Sequence, residues 1–300
     1  MSELDDIIMS EQSEAQSNKK EQPADSKSEK SFDKEAWAKR RQEIKNDVYT
    51  MLDKASSGLS DPLNYVRYLA VQSRFDRYAV SNSLLVAHQM PEALKLRDLE
   101  AWNKSGVYVK KNESGIYILE PGKEFKREDG SVGTYYEPKK VFDISQTTAV
   151  QKIPPKKRYN ERLLIKALVN TSPVPVEIRN DLPENVSALY RSEDKVIHIR
   201  QGMKGDDIFR ALSKEIAHAR LDKGDYSRDK CEVSAYGIAF ISCARVGIDP
   251  ADIDRKKNPF EGMSPKDIRQ ELSAIRDEAN SMSQSMSKVL EVKNKNKDAR

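Results

Sequence analysis

Apolar residues in the first third of the chain recur every three or four positions, a spacing that predicts helices. One such pattern covers residues 32–52, and a second helix opens near Pro62, because proline suits the first helical turn. The apolar face expected for that second helix consists of Leu63, Val66, Leu69 and Ala70. Two shorter helices are predicted at 80–89 and 99–104.

The pattern changes to short alternating segments between residues 107 and 144, which predicts strands. The expected strands are 107–111 and 115–119 around a turn at 112–114, 125–127 and 132–136 around a turn at 128–131, and 141–144. The Asp129-Gly130 pair favours a hairpin turn. Helices followed by a small antiparallel sheet predict an α+β domain over residues 32–148.

A second mixture of strands and helices follows a proline- and lysine-rich linker at 150–158. Its expected elements are a helix at 160–170, strands at 174–178, 188–191 and 196–200, a helix that begins at Gly205, and a helix from Asp229 to about Val246. Residues 149–262 are therefore predicted to form a second α+β domain.

A long amphipathic helix is predicted at 263–290, because Ser264 and Pro265 form a typical helix start. Its apolar residues repeat with the heptad spacing of a packing seam. The seam consists of Ile268, Leu272, Ile275, Ala279, Met282, Met286 and Val289. This helix either packs on its own domain or contacts a protein partner or a second copy of the chain. Residues 291–300 are expected to form a frayed basic tail.

Charge is unevenly spread along the 300 residues. The net charge is +4, yet residues 1–30 hold eight acidic residues and four lysines. Residues 1–31 are expected to be a disordered acidic tail, because they are polar and lack aromatic residues. The rest of the chain is correspondingly basic, which is compatible with nucleic-acid binding or with an ordinary solvated surface.

The sequence also indicates a cellular location. No apolar run approaches the ~20 residues of a membrane span, and the polar N-terminus does not resemble a signal peptide. The two cysteines, Cys231 and Cys243, are twelve residues apart on one predicted helix, which is too far for a disulfide. We therefore expect a cytoplasmic protein with no membrane partner.

Residues 214–218 differ by one residue from the zinc-protease pentad His-Glu-x-x-His. A helix places positions i and i+4 on one face, so the pentad offers two imidazoles to one zinc ion. Here Lys214 replaces the first imidazole, and its ammonium group cannot bind a cation. His218 and Glu232, on the next predicted helix, remain as vestigial metal ligands. Glu215 would be the catalytic base only if the site were active.

The substitution leaves two good ligands where a zinc site needs about three. We therefore expect no cofactor, and zinc only if the degenerate site still binds metal. The Lys214 ammonium is expected to pair with Glu232 or Glu215, because a buried carboxylate needs a partner. Alternatively, Lys214 points to solvent. An active metallopeptidase would need a replacement ligand, and the nearby candidates are Asp222 and Asp225.

Basic residues alternate with aromatic residues at two places in the first half of the chain. The residues concerned are Arg74, Arg77 and Tyr78 in one place, and Tyr108, Lys110, Lys111 and Tyr117 in the other. Proteins that bind single-stranded nucleic acid combine cations for the phosphates with rings on which bases stack, at ~1–3 kcal/mol per base. The alternative is that the rings are core residues and the lysines are merely solvated.

Several short motifs occur in the order in which one known family has them. They are Tyr78–Leu85, Trp102–Gly106, Val109–Ile116 and Val141–Thr147. This string resembles the N-terminal domain of ArdC-type antirestriction proteins, and the resemblance implies single-stranded DNA binding. It adds Asn82 and Trp102 to the implied DNA-binding residues, although Trp102 is also a good candidate for the core.

The second half resembles the zincin-like metallopeptidase domain of the same family, which is related to the ImmA/IrrE group. The resemblance covers roughly residues 35–250. It implies an α+β protein with N-terminal helices and a small antiparallel sheet, followed by a minimal zincin-like α+β domain and a C-terminal helix. Lys214 departs from the family pattern, and this puts catalysis in doubt.

The sequence therefore predicts a single-stranded DNA-binding, antirestriction-like protein of a conjugative mobile element, with an inactive zincin-like domain. Two alternatives stay open. The first is an active zinc metallopeptidase that cleaves a regulatory or restriction protein. The second is a protein-binding module that acts through the C-terminal helix.

Overall fold

The computed structural model describes residues 34–127, 129–149, 159–253 and 257–298, with the side-chain environments described as far as residue 291. The acidic tail expected at 1–31 and the linker expected at 150–158 lie outside the described residues. Among the described residues, no helix is both long enough and apolar enough to cross a membrane.

The described chain is a mixed α+β structure. Its helices are α1 Lys34–Ser57, α2 Pro62–Arg74, α3 Val80–Gln89, α4 Leu99–Lys104, α5 Glu161–Val169, α6 Gly205–Leu221, α7 Arg228–Val246 and α8 Pro265–Asp298. Its strands are β1 Leu96–Arg97, β2 Ile116–Lys126, β3 Val132–Asp143, β4 Val176–Arg179, β5 Ala188–Arg191 and β6 Val196–Arg200. The predicted fold class is confirmed.

The chain divides into two compact units. The first consists of Met1–Met51 and Ala93–Gln151, and the second of Leu52–Glu92 and Lys152–Arg300. The sequence placed α2 and α3 in a domain that ended at residue 148. Both helices instead belong to the second unit, where α2 packs on α7.

The sheet of the first unit has the strand order β1-β3-β2, and both strand pairs are antiparallel. A turn with Gly130 at φ +81° closes β2 and β3 into one long hairpin. The separate strands expected at 125–127 and 141–144 are the ends of these two strands. A register shift between Pro121 and Glu124 interrupts the pairing, because proline lacks a backbone donor.

The hairpin expected at 107–119 is wrong in its first strand. Residues 107–111 form no strand ladder, and Val109 makes a single bridge with Thr147. The Lys110 N–H donates to the carbonyl of Gln146 at 2.9 Å. The alternation of this segment therefore reflects pairing with a segment 35 to 40 residues further on, which short-range turn chemistry could not indicate.

The sheet of the second unit has the order β4-β6-β5, with β4 parallel and β5 antiparallel to the central strand β6. Helix α6 packs on β5 and β6, while α7 packs on α6. Ile197 in the central strand and Phe209 and Ile216 in α6 are fully buried. The sheet and these two helices thus position the pentad-like residues.

Helix α2 begins as predicted, with Pro62 in the first turn and the Asp61 carboxylate accepting the N–H of Leu63. Its predicted apolar face is partly wrong, because Leu63 is 42 % exposed whereas Tyr65 and Tyr68 are fully buried. Both tyrosine hydroxyls find partners, so the rings can occupy the core.

Helix α8 buries its heptad seam within its own unit, against α5 and α7. Six of the seven predicted seam residues, from Ile268 to Met286, are at most 3 % exposed, and Leu290 rather than Val289 continues the seam. This confirms the first of the two alternatives and leaves the seam unavailable to a partner. The helix runs to Asp298, so most of the tail expected from residue 291 is helical.

Candidate nucleic-acid interface and degenerate metal centre

Helix α6 carries the pentad-like residues on the face that meets α7. The i, i+4 spacing brings Lys214 and His218 together beside Glu232, in the first turns of α7. The Lys214 ammonium pairs with one carboxylate oxygen of Glu232. The Nε2 atom of His218 lies 3.3 Å from the other oxygen. The hypothesis that Lys214 pairs with Glu232 is confirmed.

The environment of His218 and Glu232 is that of a compact polar cluster. His218 is fully buried, and its Nδ1 atom lies 3.0 Å from the Tyr226 hydroxyl. The hydrogen bond with His218, together with the Lys214 ammonium, lowers the pKa of Glu232 to about 2, although burial opposes this. Glu232 is therefore ionised at neutral pH and engaged on both oxygens.

The glutamate at the position of the general base is also engaged. Glu215 is almost fully buried and accepts two hydrogen bonds from the Arg228 guanidinium, at 2.6 and 2.9 Å. The N–H of Tyr190 donates to the same carboxylate at 2.7 Å. Three donors therefore already occupy the Glu215 carboxylate, which is held in place by the bidentate arginine.

The residues present do not fit a divalent metal. The metal position of the pentad is taken by the Lys214 ammonium, and no group of three or more His, Cys, Asp or Glu side chains in the described ranges could hold an ion. Asp222, one of the two replacement ligands considered, instead accepts a hydrogen bond from the Tyr190 hydroxyl at 2.7 Å and pairs with Lys195.

The predicted DNA-binding residues divide between the two units. Tyr108, Lys110, Lys111, Tyr117 and Trp102 belong to the first unit, and Arg74, Arg77, Tyr78 and Asn82 to the second. Tyr108 is 60 % exposed. The Tyr117 ring lies 5.9 Å from the Lys140 ammonium, and the Tyr78 ring stacks on Phe75 at 5.1 Å.

Trp102 is a core residue, which corrects its assignment to the DNA-binding set. It is 2 % exposed, and its indole N–H donates to the carbonyl of Phe142 at 2.9 Å. A base cannot stack on a ring that the protein itself encloses.

Two polar residues of the family-like motifs also have structural roles. The Asp143 carboxylate accepts the N–H groups of Leu94 and Lys95 at 2.7 and 2.8 Å. The Gln146 side chain accepts the N–H of Asp143 and donates to the carbonyl of Ser114. These two residues of the Val141–Thr147 motif therefore hold the corner where β3 ends.

A different set of exposed or half-buried rings and cations lies on the first unit, and it was not predicted from the sequence. We call it the aromatic–cation row; it consists of Trp37, Arg41, Lys45, Phe125, Arg127 and Tyr135. The first three residues follow one another at i, i+4 spacing on α1, and the others lie on the β2–β3 hairpin or at the start of its turn.

Each member of the aromatic–cation row contacts the next or shares a partner with it. The Arg41 guanidinium lies 5.4 Å from the Trp37 ring, and Lys45 lies 5.6 Å from the Tyr135 ring. Tyr135 packs on Phe125 at 4.2 Å, and Arg127 lies 5.9 Å from Phe125. Arg41 and Lys45 both pair with Glu137.

Two rings of the aromatic–cation row reach solvent. Trp37 is 42 % exposed and Tyr135 is 50 % exposed. Gly133 has no side chain and so leaves space for the Phe125 ring, because a Cβ there would lie 2.5 Å from that ring. The helical spacing of Trp37, Arg41 and Lys45 is visible in the sequence, but their proximity to the hairpin depends on tertiary structure.

Comparison with known proteins supports the fold. No family model and no curated protein matches the chain. Among solved structures, the chain is similar to the antirestriction protein ArdC from plasmid R388 in its metal-free form, with 16 % identity and a TM-score of 0.51 over 70 % of this chain and 86 % of that one. The Mn(II)-bound form of ArdC matches with 15 % identity and a TM-score of 0.51, over 72 % of this chain and 91 % of that one. The chain therefore has an ArdC-like fold.

Proposed function

We propose that this chain is a single-stranded DNA-binding, antirestriction-like protein of a conjugative mobile element. Its first unit binds the DNA, and its second unit is a zincin-like scaffold that does not hydrolyse peptides. The observation that supports the proposal is the aromatic–cation row, where exposed rings lie beside cations on one unit.

This arrangement matches the chemistry of an unpaired strand. Cations bind phosphates without regard to sequence, and each base that stacks on an aromatic side chain contributes ~1–3 kcal/mol. A duplex keeps its bases stacked on one another, so exposed rings favour a single strand. The described structure offers Trp37 and Tyr135 as such rings, and Tyr108 is a further exposed ring of the same unit.

The biological context comes from the structural neighbours. Both forms of ArdC described above are named as an antirestriction protein of a plasmid. A protein with this fold and a single-strand interface is suited to act on DNA that enters a cell as a single strand.

The chemistry of the second unit supports a role without hydrolysis. ArdC has a Mn(II)-bound form. In this chain Lys214 pairs with Glu232 and Arg228 pairs with Glu215. Each carboxylate that could serve a metal enzyme there is neutralised by a side-chain cation.

The proposal is tested by titrating labelled single- and double-stranded oligonucleotides at several salt concentrations. We expect tighter binding of the single strand, and an affinity that falls as salt rises, with a slope of about 0.7 for each phosphate contact. The variant Arg41→Ala should bind more weakly than wild type.

Arg179→Ala is the matched control, because Arg179 is an exposed arginine of the second unit that pairs with Asp181. No binding of single-stranded DNA at low salt would refute the proposed function. An equal loss of affinity in both variants would show that the aromatic–cation row is not the binding surface.

A further inference from the structure

Glu137 lies between the two cations of α1 in the aromatic–cation row. Its Oε1 atom is 3.0 Å from the Lys45 ammonium, and its Oε2 atom is 3.4 Å from the Arg41 guanidinium. The hydrogen bond from Lys45 lowers the pKa of Glu137, so the carboxylate is ionised at neutral pH. It is the carboxylate that both row cations of α1 share.

We propose that Glu137 is an internal phosphate mimic, which occupies Arg41 and Lys45 in the free protein and yields them to a DNA phosphate on binding. This inference rests on the proposed function, because it concerns the regulation of the same site. Glu137 thereby sets the affinity for single strands and keeps the two cations in place between binding events.

The geometry of the pair carries the inference. Two oxygens of one anionic group, each held by a different cation, are also what a backbone phosphate presents. The aromatic rings of Trp37 and Tyr135 lie against these same cations, so a phosphate at the position of the carboxylate would place the neighbouring bases near exposed rings.

The exposure of Glu137 and its two cations allows a phosphate to replace the carboxylate. The side chain of Arg41 is 56 % exposed, that of Lys45 is 24 % exposed and that of Glu137 is 31 % exposed. Ion pairs that remain in contact with water are weak, so an incoming polyanion can compete with the carboxylate.

A purely structural role is the competing explanation. The ion pairs join α1 to the hairpin, and the Tyr49 hydroxyl also joins them by a 3.4 Å hydrogen bond to the carbonyl of Tyr136. If Glu137 only held the helix in place, its removal would weaken DNA binding or leave it unchanged. A phosphate mimic predicts the opposite sign.

The test compares Glu137→Gln with Glu120→Gln in titrations with a single-stranded oligothymidylate at low salt. Glu120 lies on the same hairpin and pairs with Lys139, which also pairs with Asp98. Each substitution replaces a carboxylate by a neutral amide, so both raise the net charge by one. We expect Glu137→Gln to bind about two- to fivefold more tightly than Glu120→Gln, the range that corresponds to an exposed ion pair.

A double-mutant cycle separates the mimic from a general effect of charge. If Glu137 acts by occupying Lys45, the gain from Glu137→Gln should shrink in a Lys45→Ala background. A gain in affinity that is equally large in the Lys45→Ala background would overturn the inference. The Glu137 carboxylate would then act only through its long-range electrostatic repulsion of the DNA.

Tryptophan fluorescence shows whether the strand binds at this row. The chain has two tryptophans, and Trp102 is enclosed in the core. Quenching by the oligonucleotide should therefore come from Trp37 and disappear in Trp37→Phe. Quenching that persists in Trp37→Phe would overturn the placement of the DNA on the row.

The outcomes separate the two proposals. If wild type and Glu137→Gln both fail to bind, the proposed function is wrong. If both bind, and Glu137→Gln matches Glu120→Gln or is weaker, DNA binding stands and the phosphate-mimic inference is wrong. Far-UV circular dichroism of each variant confirms that the fold is kept.

Discussion

Lys214 and Arg228 each neutralise a carboxylate that a zinc peptidase would need. The Lys214 ammonium pairs with Glu232, which stands at the position of a metal ligand. The Arg228 guanidinium pairs with Glu215, which stands at the position of the general base. A buried carboxylate left without a partner would be costly, so Arg228 stabilises the buried Glu215, and Lys214 pairs with the half-exposed Glu232. Under the proposed function, a lysine in place of an imidazole and the engagement of Glu215 are separate obstacles to hydrolysis.

Lys214→His should restore metal binding without restoring hydrolysis. The new imidazole would complete a set of three ligands with His218 and Glu232, which is enough for zinc. We expect near-stoichiometric zinc by elemental analysis after dialysis, but no peptidase activity, because Arg228 still holds Glu215.

Lys214→Ala is the control for that variant, since it removes the ammonium and adds no ligand. It should bind no zinc. Zinc in Lys214→Ala, or none in Lys214→His, would contradict the view that this cluster descends from a metal site.

Asp143 should contribute stability that depends on pH. Burial raises the pKa of this carboxyl, but hydrogen bonds from the N–H groups of Lys95, Ser145 and Leu94 outweigh this and hold the pKa below its ordinary value of 3.8. A depressed pKa contributes stability above pH 3.8, and this is lost as the pH falls below that value. At pH 7, Asp143→Asn should lower the free energy of unfolding by about 1.5–3 kcal/mol.

Denaturant titrations followed by tryptophan fluorescence at pH 7 and below pH 3.8 measure this effect. The difference between wild type and Asp143→Asn should narrow at the lower pH. Glu124→Gln, at an exposed position of the same hairpin, should stay close to wild type at both pH values. A difference for Asp143→Asn that does not change with pH would contradict the argument.

At the scale of the elements, α2, α7 and α8 meet at Gly237. A Cβ at this position would lie 2.2 Å from the Tyr65 hydroxyl and 3.0 Å from a side-chain carbon of Ile275. Glycine inside a helix costs about 1 kcal/mol relative to alanine, so its presence here reflects the close approach of the three helices.

Gly237→Ala should therefore destabilise the protein, despite the better helix propensity of alanine. Overpacking of this kind costs about 1–3 kcal/mol. Tyr65→Phe removes the clashing hydroxyl together with its 3.1 Å hydrogen bond to the carbonyl of Val233. In the Gly237→Ala background, Tyr65→Phe should recover stability, as measured by thermal unfolding; simple additivity of the two losses would contradict the predicted clash.

At the scale of the whole molecule, the terminal helix α8 completes the second unit. The Arg220 guanidinium contacts Glu278 and Ser281, and the Arg245 guanidinium contacts Asn280 and Ser283. Without α8, both arginines would lose these partners and the apolar seam would be exposed.

A chain that ends at residue 262 should therefore lose its cooperative thermal transition and its soluble yield. The control is a chain that ends at residue 291, because Leu290 is the last buried residue described in the seam. This shorter deletion should unfold close to the full-length temperature. If the chain ending at 262 melted like the full chain, α8 would be an accessory helix.

The sequence by itself determined the elements whose signals lie within one or two turns. Helices α3 and α4 and strands β5 and β6 were predicted to the residue, and in the structure Asp61 and Asn160 cap α2 and α5 by accepting nearby backbone N–H groups. A helix cap or a hairpin turn depends on neighbours three or four residues away, so its physics is already present in the local sequence.

Only the tertiary structure decided which distant residues meet. Arg228 meets Glu215 because α7 packs on α6, and Lys45 meets Tyr135 because α1 lies against the hairpin. The Arg228–Glu215 contact joins residues 13 positions apart, and the Lys45–Glu137 contact joins residues 92 positions apart. Such contacts depend on the register of packed elements, which no local pattern specifies. The pentad-like residues could therefore be found in the sequence, whereas the neutralised base and the aromatic–cation row could not.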